Sequence, residues 1–244
     1  MERAQLLTYA IRYHGNTEQI RQALARAEPF DTNIADASAM TILDEDYPSA
    51  LRALDDPPYV LFLKGNRQLL SIPGIAVVGS RAMTSYAQTM TRWIVSSLAS
   101  RHTIISGLAK GVDATAHREA LVKGQTIAVL GCGIDRVYPK ENADLYDQIA
   151  QKGLILSEYP GSTPPEKAHF PWRNRLVAAL SSTVIVTQAD YKSGSMITVR
   201  QALTLGKDVV TIPYRIGDPE GVACNALIRD GAGILMDDTD LDLI

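Results

Sequence analysis

The sequence predicts an α/β protein: a mainly parallel sheet wound by helices on both faces, with a short helical appendage at the amino end. Three observations predict it. From residue 74, short runs of β-branched and aliphatic residues alternate with helical stretches of roughly 10–17 residues. Several of those runs end in Gly or Ser, at the place where doubly wound sheets receive ligands. Hydrophobic residues make up 46% and charged residues 21% of the 244-residue chain, enough for one large core.

In chain order, residues 4–28 carry Leu6, Leu7, Ala10, Ile11, Ile20 and Leu24 at helical spacing, interrupted by Gly15-Asn16, so two short helices are expected. They are too few to hold a core alone and should dock on the body of the chain. Residues 29–40 read as a linker. Thr41-Ile42-Leu43 and Tyr59–Leu63 read as strands added to the edge of a larger sheet. Ile75–Val78 is a strand ending in Gly79-Ser80-Arg81, followed by a helix over 84–100. Thr103-Ile104-Ile105 is a strand ending in Ser106-Gly107, followed by a helix over 112–123. Thr126–Leu130 is a strand ending in Gly131-Cys132-Gly133, followed by a helix over 141–152. Leu154–Leu156 is a strand ending in Ser157-Glu158. Phe170–Arg175 is then expected to lead into an apolar helical run, Leu176–Leu180. Strand 183–187, helix 195–205, strand 208–212 and a helix near 223–230 complete the pattern. The organisation expected is a helical region at 1–38, the α/β domain at 39–236 and a solvated acidic tail at 237–244.

Net charge is −3 with a pI near 5.8, so no global basic footprint marks a nucleic-acid binder. A local basic groove would still serve, because charge attraction acts within roughly 8–10 Å. Cys132 and Cys224 form no CxxC pair, which fits a reducing cytoplasm rather than a disulfide framework. No signal peptide or membrane span is visible.

The strand ends carry the chemistry. Gly79-Ser80-Arg81 lies between a strand and a helix, where backbone amides, the Ser80 hydroxyl and the Arg81 guanidinium suit a phosphate. A tight turn with a solvated arginine is the alternative, but placement directly after a strand favours the anion site. Lys140, after Tyr138-Pro139, could reach the same anion or simply be exposed. Ser193-Gly194-Ser195 opens a helix and suits a phosphate, or serves only as an N-cap. Phe170-Pro171-Trp172-Arg173-Asn174-Arg175 packs aromatics, guanidiniums and an amide into one segment. Gly131-x-Gly133 begins a dinucleotide fingerprint, but Arg136 stands where its third glycine belongs. No GxxxxGK(S/T) loop occurs. Asp113 and His117 share a helix face, yet no third metal ligand is in view, so a helix-start carboxylate and a satisfied histidine are the better reading. No nucleophile with its base and no carboxylate pair stands out. The residues alone leave open a small nucleotide, a cofactor or a nucleic-acid backbone.

In order along the chain, Val78–Arg81, Ser106-Gly107-x-Ala109-x-Gly111-Val112-Asp113-x3-His117, Tyr138-Pro139-Lys140, Leu156-Ser157-Glu158, Phe170–Arg175, Ser193-Gly194 and Gly221-x3-Asn225-x-Leu227-Ile228 resemble the DprA/Smf DNA-processing family. The resemblance covers about residues 40–235. It implies an extended Rossmann-like core, no enzymatic activity and no cofactor or metal. It implies binding of single-stranded DNA, protection of incoming DNA in natural transformation, loading of the RecA recombinase and a homodimer. The DNA-contacting set it implies is Ser80, Arg81, Gly107, Lys110, Lys140, Phe170, Arg173, Asn174, Arg175, Ser193 and Gly194, with Asn174 ordering its neighbours. Three positions depart from the family pattern: Gln188 stands for a Glu, Met196–Val199 for a Leu-x-Thr-Ala run, and Tyr214 for a Gly after Pro213. An alternative is a phosphoribohydrolase of the LOG type, disfavoured because its PGGxGTxxE motif is missing. A third reading is an adaptor whose apolar Ala226, Leu227, Ile228 and Leu235 pair with a second copy.

Overall fold

The computed structural model describes residues 1–244. At the amino end, α1 (Arg3–Arg12) and α2 (Thr17–Ala25) flank the Gly15-Asn16 break. Asn16 caps α2 by accepting from the Gln19 amide at 3.0 Å. Neither helix stands alone. Leu6, Leu7, Tyr9 and Ile20 are buried against Val60, Phe62, Ile155 and Leu145, apolar burial that these short helices need for stability.

The edge strands come next. β1 (Ala39–Thr41) starts inside the expected linker and ends where the strand over residues 41–43 is expected to begin. The reason is local. Asp44 accepts from both the Thr41 amide and hydroxyl at 3.0 Å, and that turn ends the strand. A short α3 (Ser49–Arg52) leads to β2 (Val60–Gly65), and β1 pairs with it antiparallel.

The alternation continues as β3 (Gly74–Gly79), α4 (Ser85–Leu98), β4 (Ile104–Ser106), α5 (Val112–Lys123), β5 (Thr126–Val129), α6 (Ala143–Lys152) and β6 (Leu154–Ser157). Then come α7 (His169–Ala179), β7 (Ser181–Gln188), α8 (Ser195–Thr204), β8 (Asp208–Thr211), α9 (Val222–Arg229), β9 (Gly233–Ile234) and α10 (Asp238–Leu241). The nine strands lie in the order β1-β2-β6-β5-β4-β3-β7-β8-β9. All neighbours from β6 to β9 are parallel, and β2 joins β6 antiparallel. The winding reverses between β3 and β7, which places the switch point beside Gly79 and Gln188.

Strand alternation sends side chains to two cores. Ile75, Val77 and Ile185 pack with Ile94, Val95, Val112 and Ala116 of α4 and α5. Ala76, Val78, Val184 and Val186 pack with Leu176, Val177, Val199 and Ala202 of α7 and α8.

The structure changes three expectations. The segment Phe170–Arg175 does not precede a helix; it is the first half of α7. Pro171 is tolerated because it lies in the first turn, where an amide has no intrahelical partner. The acidic tail is not free either. Leu241 is 1% exposed, and Trp93 Nε1 donates to Asp238 at 2.7 Å, so α10 docks on α4. Finally, Leu227 and Leu235 pack in the chain's own cores, Ala226 is buried and Ile228 is half-buried, so most of the apolar patch expected there is covered within the chain. No helix is long and apolar enough to cross a membrane.

Candidate nucleic-acid interface

A crevice of about 700 Å³ opens at the switch point, outside the carboxyl ends of β3, β4 and β7. The β3 end supplies Gly79, Ser80, Arg81 and Ala82; the β4 end supplies Gly107 and Ala109. The first turns of α7 supply Phe170, Arg173 and Asn174, and the entry to α8 supplies Ser193, Gly194 and Ser195. Eight residues expected from the sequence are thus brought together: Ser80, Arg81, Gly107, Phe170, Arg173, Asn174, Ser193 and Gly194.

The floor is a buried cation. Arg173 is 5% exposed. Its Nη1 donates to the carbonyl of Gly107 at 2.8 Å and to that of Val129, and its Nε to Asn174 Oδ1 at 3.1 Å. Its Nη2 has no protein acceptor. No carboxylate reaches it within ion-pair distance. Burial draws its pKa below the usual arginine value, opposed by the charge of Asp113. A guanidinium held this way, with one edge unspent, is suited to a phosphate or a base edge.

Gly107 is a glycine because of that arginine. A Cβ there would lie 2.4 Å from both terminal nitrogens of Arg173. Gly131 is likewise a close-approach position, since its Cβ would meet Phe170 Cδ1 at 2.9 Å. The partial dinucleotide signal at Gly131-x-Gly133 therefore reflects packing.

The wall between β4 and α5 is pinned. Leu108 is fully buried with φ +61°, a left-handed conformation unusual for a branched side chain. Asp113 Oδ2 accepts from the amides of Gly107 and Ala109 at 3.1 and 3.3 Å. Asn142 Nδ2 donates to the carbonyls of Leu108 and Ala109 at 3.0 and 3.2 Å. Burial pushes the Asp113 carboxyl up, against the pull of Arg173 and the two amides. His117 is no ligand: its Nδ1 meets Thr126 Oγ1 at 2.7 Å and its Nε2 is buried without a partner. Burial, with the charges of Arg173 and Arg118, lowers its pKa from 6.5 to about 3.

The rim is aromatic and cationic. The Arg81 guanidinium stands 5.7 Å from the Phe170 ring centre, and the Tyr138 ring lies 5.5 Å from Phe170. Asn174 Nδ2 donates to the Gly194 carbonyl at 3.2 Å, tying α7 to the entry of α8. Ser193 and Ser195 hydroxyls meet at 2.7 Å.

Three expected residues lie elsewhere. Arg175 is 6% exposed, and its two terminal nitrogens donate to Glu158 at 2.6 Å each. Its plane lies 4.1 Å from the Trp172 ring centre. It is a buried ion-pair residue and does not face the crevice, and Trp172 turns away with it. Lys110 is paired with Glu141 on the surface, and Lys140 is exposed at the start of a 3₁₀ turn outside the crevice lining. The cation that sequence reasoning missed is Lys167, which lines the crevice. It precedes Phe170 by three residues, the spacing of one helical turn, a signal visible only once α7 is recognised to begin near it. Tyr214, despite replacing a glycine, has no positive φ. Its hydroxyl donates to Thr187 O at 2.7 Å and its ring covers Gly221, outside the crevice.

The fold and crevice place the chain among doubly wound α/β proteins with a cationic, aromatic-rimmed cleft at the switch point. Comparison with known proteins gives its particular family. The chain belongs to the DNA recombination-mediator protein A family, whose sequence model matches residues 38–242. It is 44% identical over 204 residues to the DNA processing protein DprA of Streptococcus pneumoniae, covering 83% of this chain and 72% of that protein. It is 43% identical over 204 residues to Protein Smf of Synechocystis, covering 81% of this chain and 51% of that one. The crystal structure of the S. pneumoniae protein superposes with a TM-score of 0.81 at 36% identity, over 98% of this chain and 92% of that one. The Helicobacter pylori DNA processing protein A, solved to show its single-stranded DNA binding mode, gives a TM-score of 0.77 at 38% identity, over 84% and 94%.

Proposed function

We propose that this chain binds single-stranded DNA in the switch-point crevice and acts without catalysing a reaction. The observation that carries the reading is the Arg173 floor, a buried guanidinium with an unspent Nη2, flanked in the lining by Arg81 and Lys167. The Phe170 and Tyr138 rings, tilted 42° to each other, offer sequence-tolerant π-faces on which a base can stack, each stacked base contributing roughly 1–3 kcal/mol. Asp113, the buried carboxylate of the lining, is occupied by backbone amides, so it holds the loop instead of serving as an acid or base.

In the cell, the reading extends to protection of incoming single strands during natural transformation and assistance in loading RecA, by a cytoplasmic homodimer. The family membership supports these parts. A dimer would lengthen the strand path and add avidity.

The test is anisotropy of labelled oligothymidylate against protein at several salt concentrations. Binding should weaken with a log–log slope of about −0.7 per phosphate neutralised. Arg81→Ala should lower affinity and flatten the slope by about that amount, whereas Lys140→Ala should not. Equal affinity for single strands and duplex refutes the reading. Release of free base from a nucleoside monophosphate would favour the phosphoribohydrolase alternative.

A further inference from the structure

Arg81 is an exposed cation of the crevice lining whose guanidinium lies over the Phe170 ring but has no hydrogen-bond partner in the protein. Its position therefore depends on how the loop from Gly79 to Thr84 is held. On one side, the Val112 amide donates to the Ser80 carbonyl at 3.2 Å. On the other side the Ser80 hydroxyl meets the Ala82 amide and carbonyl at 3.1 Å each, and a buried side chain, Gln188, 1% exposed at the end of β7, ties the loop to the sheet.

Gln188 uses both halves of its amide. Its Oε1 accepts from the backbone amide of Thr84 at 2.8 Å and from the Thr84 hydroxyl at 3.3 Å. Its Nε2 donates to the Ala82 carbonyl at 3.3 Å and to Glu220 Oε2 at 2.9 Å. Thr84 in turn caps α4 by accepting from the Ala87 amide at 3.2 Å. Glu220 sits in the 3₁₀ turn Pro219–Gly221, which the bond from the Ala223 amide to the Ala189 carbonyl, at 3.1 Å, holds against the end of β7. One side chain thus ties two residues just after Arg81, Ala82 and Thr84, to the turn that opens α9.

We infer that Gln188 is a positioning residue for the DNA crevice: with Glu220 as its anchor, it fixes the Ala82–Thr84 backbone and thereby the direction of Arg81. The inference rests on the reading of the crevice as a DNA site. It requires the donor half of the amide. A carboxylate at 188 could still accept from Thr84 but would face Glu220 with no proton between them and lose its bond to the Ala82 carbonyl, which would keep only the Ser80 hydroxyl at 3.1 Å. Exchanging the two groups restores a donor at position 220 and an acceptor at 188.

The experiment measures oligothymidylate affinity at low salt for wild type, Arg81→Ala, Gln188→Glu, Gln188→Glu/Glu220→Gln and Arg81→Ala/Gln188→Glu. Gln188→Glu should weaken binding about tenfold, and the exchanged pair should recover to within about threefold of wild type. Because Gln188 acts through Arg81, adding Gln188→Glu to Arg81→Ala should cost less than about twofold more. Wild-type affinity in Gln188→Glu, no recovery in the exchanged pair, or losses that multiply in the double variant each overturn this inference while leaving the crevice reading intact. An Arg81→Ala protein that binds like wild type overturns both together. Should Gln188→Glu fail to fold, Glu220→Ala at an exposed position carries the test: a loss of about threefold supports the inference and no loss overturns it.

Discussion

Removing Glu158 should expose how much of this fold depends on one buried ion pair. The Glu158 and Arg175 side chains are 3% and 7% exposed, and both carboxylate oxygens are engaged at 2.6 Å. The guanidinium also donates to the carbonyls of Asp56 and Trp172 and lies on the Trp172 ring. In Glu158→Ala that guanidinium stays buried and loses its counter-charge. Leaving one member of such a pair unpaired costs about 3–5 kcal/mol. For a protein of this size, each kcal/mol moves the melting temperature by roughly 2–4 °C, so a fall of about 6–20 °C is expected in scanning calorimetry. A double replacement, Glu158→Leu/Arg175→Met, should recover most of that loss, because it removes both charges and keeps apolar volume. The same double variant should bind oligothymidylate normally, since Arg175 does not face the crevice. A melting temperature within about 2 °C of wild type in Glu158→Ala would refute the argument from burial.

Lys167→Ala should weaken oligothymidylate binding and flatten its salt slope by about 0.7, while Lys110→Ala leaves both unchanged; anisotropy titrations separate the two. Gly107→Ala should displace the Arg173 guanidinium, given the 2.4 Å approach, and reduce affinity more than stability when binding and urea melts are compared. His117 is held neutral in the fold, with its pKa lowered from 6.5 to about 3 by burial and by Arg173 and Arg118. The unfolded chain binds that proton and the folded chain does not, so stability is lost as pH falls below 6.5. Urea melts between pH 6.5 and 5 should show a decline to which His117 contributes up to about 1.4 kcal/mol per pH unit, and His117→Asn should remove that share, leaving the smaller part due to His102, whose pKa burial also lowers.

Much of the fold is legible in the sequence because its strands are short aliphatic runs separated by helical stretches. α5 has the bounds its pattern implies, Val112–Lys123, since Gly111 and Gly124 bracket it. The crevice is partly legible for the same reason: Gly79, Ser80 and Gly107 mark strand ends. What the pattern hides is rotation about α7. Arg173 and Arg175 are neighbours in one motif, yet two residues on a helix point about 200° apart. One therefore floors the crevice, and the other closes on Glu158. Lys167 is hard to see in the sequence because the apolar run of α7 begins only at Leu176. The docking of α10 is hidden by its acidic residues, whose role is to cap the helix and reach Trp93.

If the crevice takes up a single strand as proposed, the left-handed Leu108 bears on how fast and how tightly it does so. Four hydrogen bonds from two side chains, Asp113 and Asn142, keep that segment in a shape that Leu would not choose. The conformational cost is met during folding, before any ligand arrives. On the proposed reading, a nucleotide would meet a wall whose backbone is already fixed, so little ordering entropy would oppose association there. Loosening either Asp113 or Asn142 would transfer that ordering from the folding of the chain to the moment of capture.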